Sequence, residues 1–106
     1  MPKYLVEASY TAEGLRGLQQ EGAVARVANA ATVAAALGGK CDAFHWSFGD
    51  DDVVAIFDLP SGTDAAALAF AVSASGLVRT RTTPLLTAPE CDAALRKSVA
   101  FRPPGK

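Results

Sequence analysis

Histidine, cysteine and tryptophan are scarce in this 106-residue sequence, which contains one histidine, two cysteines and one tryptophan. Cys41 and Cys91 lie far apart and form no C-x-x-C motif, so the sequence predicts neither a zinc site nor a dithiol redox motif. We expect two isolated thiols that are at least partly buried. No spacing typical of cofactor binding is present either, and we assign no cofactor.

The sequence also lacks a cluster of basic residues and a long apolar run. Ten Lys and Arg stand against eleven Asp and Glu, for a formal net charge of −1, which excludes the electrostatic signature of a nucleic-acid-binding protein. The longest apolar run covers residues 65–72, whereas a membrane helix needs roughly 20 residues. No segment resembles a signal-peptide core. We therefore expect a soluble, cytoplasmic protein that binds neither nucleic acid nor membrane.

Apolar residues are abundant for so short a chain. A chain of this length folds as one domain with one core, which we place at residues 1–106. Half of the residues are hydrophobic and only 20% are charged. This composition indicates that more than one face of the structure is covered, and self-association is the simplest cover. We expect a homodimer or a larger homo-oligomer.

Hydrophobic periodicity and turn residues predict an alternation of strands and helices. The expected elements are a strand at 4–10, a short first turn capped by Thr11, a helix at 23–37, strands at 40–48 and 53–59, a helix at 65–74, a strand at 77–86, and a short helix from the capping box at Thr87 to about residue 98. This β-α-β-β-α-β order is typical of ferredoxin-like α+β folds, with a four-stranded antiparallel sheet and here an extra C-terminal helix. The wholly apolar strand at 53–59 is expected to be central, and Pro84 places the last strand at an edge or a bulge.

The turn between the two middle strands contains Gly49 and three consecutive aspartates. We interpret Gly49 and Asp52 as structural turn residues, with Gly49 free to adopt a positive φ. Carboxylates suit magnesium or calcium, but three adjacent acidic residues in a tight turn point in different directions. The sequence therefore favours a solvated turn, and we assign no metal.

Four segments resemble the GYD-domain family: residues 2–11, 48–54, 58–60 and 82–87. In the motif that names the family, glycine is followed after one residue by tyrosine and aspartate. Gly49 and Asp52 match this motif, and Asp51 stands where the tyrosine is expected. The resemblance spans nearly the whole chain and implies a ferredoxin-like fold of the dimeric α/β-barrel type. It supplies no catalytic residue.

Strand alternation suggests a candidate site on one face of the sheet. The aromatic residues Phe44, Trp46 and Phe48 and the face of the first strand that carries Val6 are expected to pack under the helices. The opposite face then carries Glu7, Ser9, Cys41, Ala43, His45, Ser47, Arg79 and Arg81. The first and last strands are neighbours in ferredoxin-like sheets, so Glu7 is expected near Arg79 or Arg81.

A second subunit stacked on this face would enclose a cavity suited to a small molecule. Arg79 and Arg81 suit an anionic group, and His45 suits a general base near neutral pH. We take Glu7, His45, Arg79 and Arg81 as candidate ligand-binding residues and His45 as the candidate catalytic residue. In the structural alternative, Glu7 and an arginine form an ion pair and His45 has no chemical role. A one-residue error in strand phase would exchange the two faces.

Three functions are compatible with these sequence features. We favour a small self-associating domain that binds a small metabolite between its sheets. An anionic metabolite is one option. The alternatives are a cofactor-free isomerase or monooxygenase of the dimeric-barrel type and a structural or regulatory subunit of an assembly. The sequence does not identify a ligand or a reaction.

Overall fold

The computed structural model describes all 106 residues and contains four strands and four helices. Their bounds are β1 Lys3–Tyr10, α1 Ala12–Glu21, α2 Ala23–Ala36, β2 Lys40–Trp46, β3 Val53–Asp58, α3 Gly62–Ala74, β4 Val78–Leu85 and α4 Ala88–Leu95. This order confirms the predicted α+β class. None of the helices combines the length and the apolar character needed to cross a bilayer.

The four strands form one antiparallel sheet in the order β2-β3-β1-β4. The first and last strands are therefore neighbours, as the ferredoxin-like order predicts. β3 is central, in agreement with its apolar sequence. β4 is an edge strand, and Pro84 is tolerated there because an edge strand has one side without a ladder partner.

The segment after β1 differs from the expected short turn, because it forms the ten-residue helix α1. Thr11 is its N-cap, with a side chain that accepts a hydrogen bond from the Gly14 backbone N–H at 3.1 Å. Gly14 is buried, and a Cβ at this position would overlap the carbonyl oxygen of Leu77. α1 ends at Gly22, whose φ of 93° favours glycine and separates α1 from α2. Gly14 therefore allows a close approach of α1 to the start of β4.

Strand β2 departs from the predicted alternation at both ends. A register irregularity between Cys41 and Ala43 leaves Asp42 as an extra residue, so that Cys41 pairs with Phe57 and packs against the core. The predicted placement of Cys41 on the same face as His45 is therefore wrong. β2 ends at Trp46, and Phe48 lies fully exposed in the following turn instead of on the aromatic face.

All helical cover lies on one face of the sheet, which we call the helix-side face. α2 packs against β2, and α3 packs against β4. The buried core lies between these helices and the sheet and includes Val6, Ala55, Phe57 and Leu59. The other face, which we call the open face, is covered by no element of the chain. The phase of the strands agrees with the prediction, because Val6 and Phe44 lie on the helix-side face.

The chain ends in α4 and an extended tail. α4 has the predicted capping box, in which the Thr87 side chain accepts from the Glu90 N–H and the Glu90 side chain accepts from the Thr87 N–H. The helix ends at Leu95, three residues before the predicted end. Cys91 on α4 is exposed, contrary to the expectation that both thiols would be at least partly buried.

Candidate functional site

The open face carries the side chains that the sequence singled out. The registers place His45 opposite Val54, Val54 opposite Glu7, and Glu7 opposite Arg81, so these residues form one row across the four strands. Adjacent strands are about 4.8 Å apart, so His45 lies about 10 Å from Glu7 along the sheet and about 14 Å from Arg81. Arg79 lies opposite Ser9, two residues before Arg81 on β4. The fold brings Glu7 to Arg81 but keeps His45 apart from both arginines.

Arg81 contacts two carboxylates at this end of the open face. Its Nη2 donates to Asp51 Oδ2 and lies 3.5 Å from Glu7 Oε2. Ser9 Oγ donates to the other Asp51 oxygen at 3.1 Å. We call Glu7, Ser9, Asp51 and Arg81 the turn cluster. The Arg81 guanidinium holds the pKa of Asp51 below its ordinary value, and Asp51 raises the pKa of Arg81.

The sequence suggested a solvated turn at the three aspartates. In the structure this turn is held against β1. The Asp52 carboxylate accepts from the Tyr10 backbone N–H at 2.8 Å, and the Asp52 N–H donates to the Ala8 carbonyl oxygen at 2.8 Å. Gly49 lies at the exposed tip of the turn. Its φ is not positive, unlike the φ of four other glycines of the chain, so the expected use of its conformational freedom is wrong.

A second charged cluster occupies the opposite end of the open face. Lys3 Nζ donates to Asp42 and, at 2.8 Å, to Asp58 Oδ1, and Lys40 lies 3.7 Å from both carboxylates. We call these four residues the strand-end cluster. Asp58 is buried, with 7% of its surface exposed. The Lys3 ammonium lowers the pKa of Asp42, and the two aspartates raise the pKa of Lys3. The two positive and two negative charges balance one another.

Neither cluster could be assembled in full from the sequence. Asp51, Lys3, Asp42 and Asp58 were not candidate residues, although they make the strongest polar contacts on this face. Asp42 reaches Lys3 from the irregular position of β2, where the alternation of side chains does not predict which face a residue occupies. The side chains of His45 and Arg79 make no hydrogen bond or ion pair within the chain. No three His, Cys, Asp or Glu side chains converge in a way that suits a metal ion.

A cavity of about 550 Å³ lies on the helix-side face, between the sheet and helices α1, α2 and α3. Of its 24 lining residues, 16 are hydrophobic. Small side chains of the central strands, including Val6, Ala8 and Ala55, contribute to its floor beside the ring of Phe57. α2 and α3 contribute Ala30, Val33 and Leu68 to its walls.

Polar side chains line the cavity at a few positions. Arg26 and Glu21 form a bidentate ion pair with both N–O distances at 2.8 Å, and Arg26 also donates to Asn29 at 3.2 Å. This pairing lowers the pKa of Glu21 and raises that of Arg26. Tyr10, Thr80 and Thr82 add hydroxyl groups to the lining, and these hydroxyls make no hydrogen bond within the chain. Burial raises the pKa of the Tyr10 phenol, which therefore remains protonated at neutral pH.

Three aromatic rings lie beside the cavity. Tyr10 and Trp46 are stacked with ring centroids 5.8 Å apart, and Phe44 packs against Trp46 at 5.5 Å. Tyr10 and Phe44 line the cavity itself. The sequence interpretation of Phe44 and Trp46 as core or interface aromatics agrees with their packing against the core. No sequence pattern marked the cavity, because a gap between two helices depends on how far apart they lie.

Comparison with protein families gives one match. The family model described as the GYD domain matches residues 4–95. No curated protein and no solved structure matches the chain. The matched residues include all four helices and nearly all of the four strands, since only Lys3 of β1 lies outside them.

Proposed function

This chain belongs to the GYD domain family, and we propose that it is a binding protein for a small, largely apolar molecule held in the helix-side cavity. The observation that carries this proposal is the cavity volume of about 550 Å³ combined with a mainly hydrophobic lining. Ligand pockets typically occupy about 300–1,000 Å³ and combine apolar walls with a few polar groups. The cavity falls within this class.

The lining also supports a choice of ligand chemistry. Most of the contact surface is aliphatic or aromatic, which favours a ligand with an apolar body. The free hydroxyls of Tyr10, Thr80 and Thr82 suit one carbonyl or hydroxyl group on that ligand. Arg26 is already neutralised by Glu21 through two hydrogen bonds. A ligand without a formal charge therefore suits the cavity better than an anion.

The open face gives weaker support for the anion site expected from the sequence. Arg81 faces Asp51 and Glu7, so an incoming anion would compete with two carboxylates of the same chain. Arg79 has no carboxylate partner, but it is a single exposed side chain. Enclosure of this face would require a second copy. An anion bound between sheets remains a prediction that rests on Arg79 and on self-association.

The geometry also favours binding over catalysis. A general base works when a hydrogen bond orients it towards its substrate. His45 is exposed and makes no such bond within the chain, and it lies on the opposite face of the sheet from the cavity. An isomerase or monooxygenase that uses His45 would therefore need groups from another copy to orient the ring.

The test uses N-phenyl-1-naphthylamine, an uncharged probe whose fluorescence rises in apolar surroundings. We expect one saturable site per chain. We also expect a change in the emission of Trp46, the single tryptophan, because it stacks on the cavity residue Tyr10. An absence of saturable binding to the folded protein would contradict the proposal.

Two neighbouring alanines of α2 provide a matched pair of variants. Ala30 lines the cavity and is half-buried, whereas Ala31 is exposed and lies outside it. Ala30→Leu fills part of the space and should raise the dissociation constant of the probe at least about tenfold, or about 1.4 kcal/mol. Ala31→Leu adds the same side-chain atoms to the same helix, outside the cavity, and should leave binding of the probe unchanged. Equal effects of the two variants would place the probe elsewhere.

A further inference from the structure

The last 21 residues, 86–106, form a segment that we call the C-terminal arm, and every residue of the arm is exposed. Its apolar side chains include Leu95, Val99 and Phe101, which are 77%, 78% and 73% exposed. The side-chain hydrogen bonds of the arm join Thr87 and Glu90 and are internal to it. The arm therefore has apolar surface but no cover from its own chain.

The shape of the chain agrees with this separation. The radius of gyration is 16.7 Å and the longest extent is 56 Å, whereas a compact domain of 100 residues has a radius of gyration of about 13 Å. Residues 1–85, which we call the body, contain the whole sheet and core. α4 packs closely against no other helix or strand of the chain, in agreement with an arm that lies apart from the body.

The ordered helix in the arm requires an explanation. α4 has eight residues, and isolated helices shorter than about 12–15 residues are only marginally stable in water. A capping box and a proline in the first turn define where α4 begins, but they do not replace a packing surface. The persistence of α4 therefore depends on a surface that the body of the same chain does not supply.

The connection to β4 disfavours folding back on the same chain. Only Leu86 and Thr87 separate the end of β4 from α4. The capping box fixes the backbone of Thr87 through its hydrogen bonds of 2.8 and 3.3 Å with Glu90, so Leu86 is the one connecting residue left to redirect the arm.

Charge complementarity indicates what the arm contacts. The arm contains four basic and two acidic residues, for a formal charge of +2. The body contains six basic and nine acidic residues, for a formal charge of −3, and the two parts together give the chain's −1. The body of a second copy therefore carries a net charge opposite to that of the arm, and attraction of this kind favours association.

We propose that the C-terminal arm packs against the body of a second copy of this chain, with each copy giving one arm and accepting the other. Such a reciprocal exchange forms a closed two-fold dimer, in which the same pair of surfaces is used twice. Leu95, Val99 and Phe101 become buried in the contact, and Arg96 and Lys97 lie near acidic residues of the partner. This inference concerns assembly and does not depend on the helix-side cavity.

The experiment combines sedimentation velocity with hydrogen exchange on the full chain. We expect a dimer at high protein concentration that dissociates on dilution, with amide protection of α4 lost in parallel. Added salt should weaken the dimer because it screens the charge attraction. A protein that is monomeric at all concentrations, or an α4 that exchanges as an unfolded peptide within a stable dimer, would overturn the proposal.

Leu95→Glu tests the apolar contact directly. It places a carboxylate in the proposed interface and should raise the dimer dissociation constant at least about tenfold. Val24→Glu is the control, because Val24 is an exposed apolar residue of α2, 86% exposed and outside the arm. Circular dichroism verifies that both variants are folded. A dimer unaffected by Leu95→Glu, or weakened equally by Val24→Glu, would exclude the arm as the contact.

Discussion

The two faces of the sheet carry different kinds of side chain, although both are built from the same four strands. The helix-side face holds Val6, Ala55 and Phe57 against helices, and it carries an apolar cavity. The open face has charged clusters at its two ends, and each positive group in them lies next to a carboxylate. Neighbouring residues such as Ile56 and Phe57 point to opposite faces. One residue step along a strand therefore moves a side chain from the helix-covered apolar face to the face that carries the ion pairs.

The largest expected effect comes from deleting a ring on the helix-side face. Phe57 is 4% exposed, and Phe57→Ala should lower the free energy of unfolding by about 3–5 kcal/mol, because a buried ring is replaced by a void. Urea denaturation followed by circular dichroism measures this loss.

Its matched control is the adjacent residue on the open face. Ile56 is half-buried, and Ile56→Ala should cost only about 1–2 kcal/mol because its side chain is already partly in water. Equal losses would mean that the two faces are equally covered. A loss at Ile56 that grows with protein concentration would show that a second copy covers the open face.

The next largest effect is expected from variants of α1 that test how closely this helix approaches the start of β4. Gly14→Ala should lower the free energy of unfolding by about 1–3 kcal/mol, because the new methyl group would overlap the carbonyl oxygen of Leu77. Gly17 lies on the same helix and has open space at its Cβ position. Gly17→Ala should raise the free energy of unfolding by about 0.5–1 kcal/mol. Similar stabilities for the two variants, measured by urea denaturation, would contradict the close approach.

The smallest effect concerns an ion pair of the open face and its pH dependence. Arg81 holds the pKa of Asp51 below its ordinary value of 3.8. The unfolded chain therefore binds the proton more readily than the folded chain, so the stabilisation is present above pH 3.8 and is lost as the pH falls through the folded pKa. Asp51→Asn should lower the melting temperature at neutral pH, and the difference from the wild type should vanish in acid.

Asp50→Asn is the control for this pH profile. Asp50 is exposed at the same turn and forms no ion pair. Its replacement should leave the difference in melting temperature near zero across the same pH range. A profile for Asp51→Asn that is as flat as that of Asp50→Asn would mean that Arg81 does not stabilise the folded chain through Asp51.

Most of the fold follows from local patterns in the sequence. The alternation in β1, the apolar run of β3 and the capping residues Thr11 and Thr87 predicted the element order and the central strand. Two local predictions were wrong because a longer-range factor intervened. α1 forms although it contains Gly14 and Gly17, because Gly14 permits packing against Leu77. The irregular register of β2 moves Cys41 to the helix-side face.

Less of the polar arrangement could be predicted. The strand order implied that Glu7 would lie near an arginine of β4, and the register places Arg81 opposite it. The contact of Asp51 with Arg81 spans 30 residues, and the contact of Ser9 with Asp51 spans 42. Contacts over such separations depend on how the turn folds over β1, which has no local sequence signal.

The sequence by itself determined the β-α-β-β-α-β succession and, outside the irregular register of β2, which residues of each strand share a face, because these properties follow from backbone geometry with periods of 2 and 3.6 residues. Only the tertiary structure decided that α2 and α3 leave a cavity between them, that Asp51 shares Arg81 with Glu7, and that the C-terminal arm lies apart from the body. These features depend on distances between elements that are remote in the chain, and packing, charge pairing and chain connectivity set those distances together.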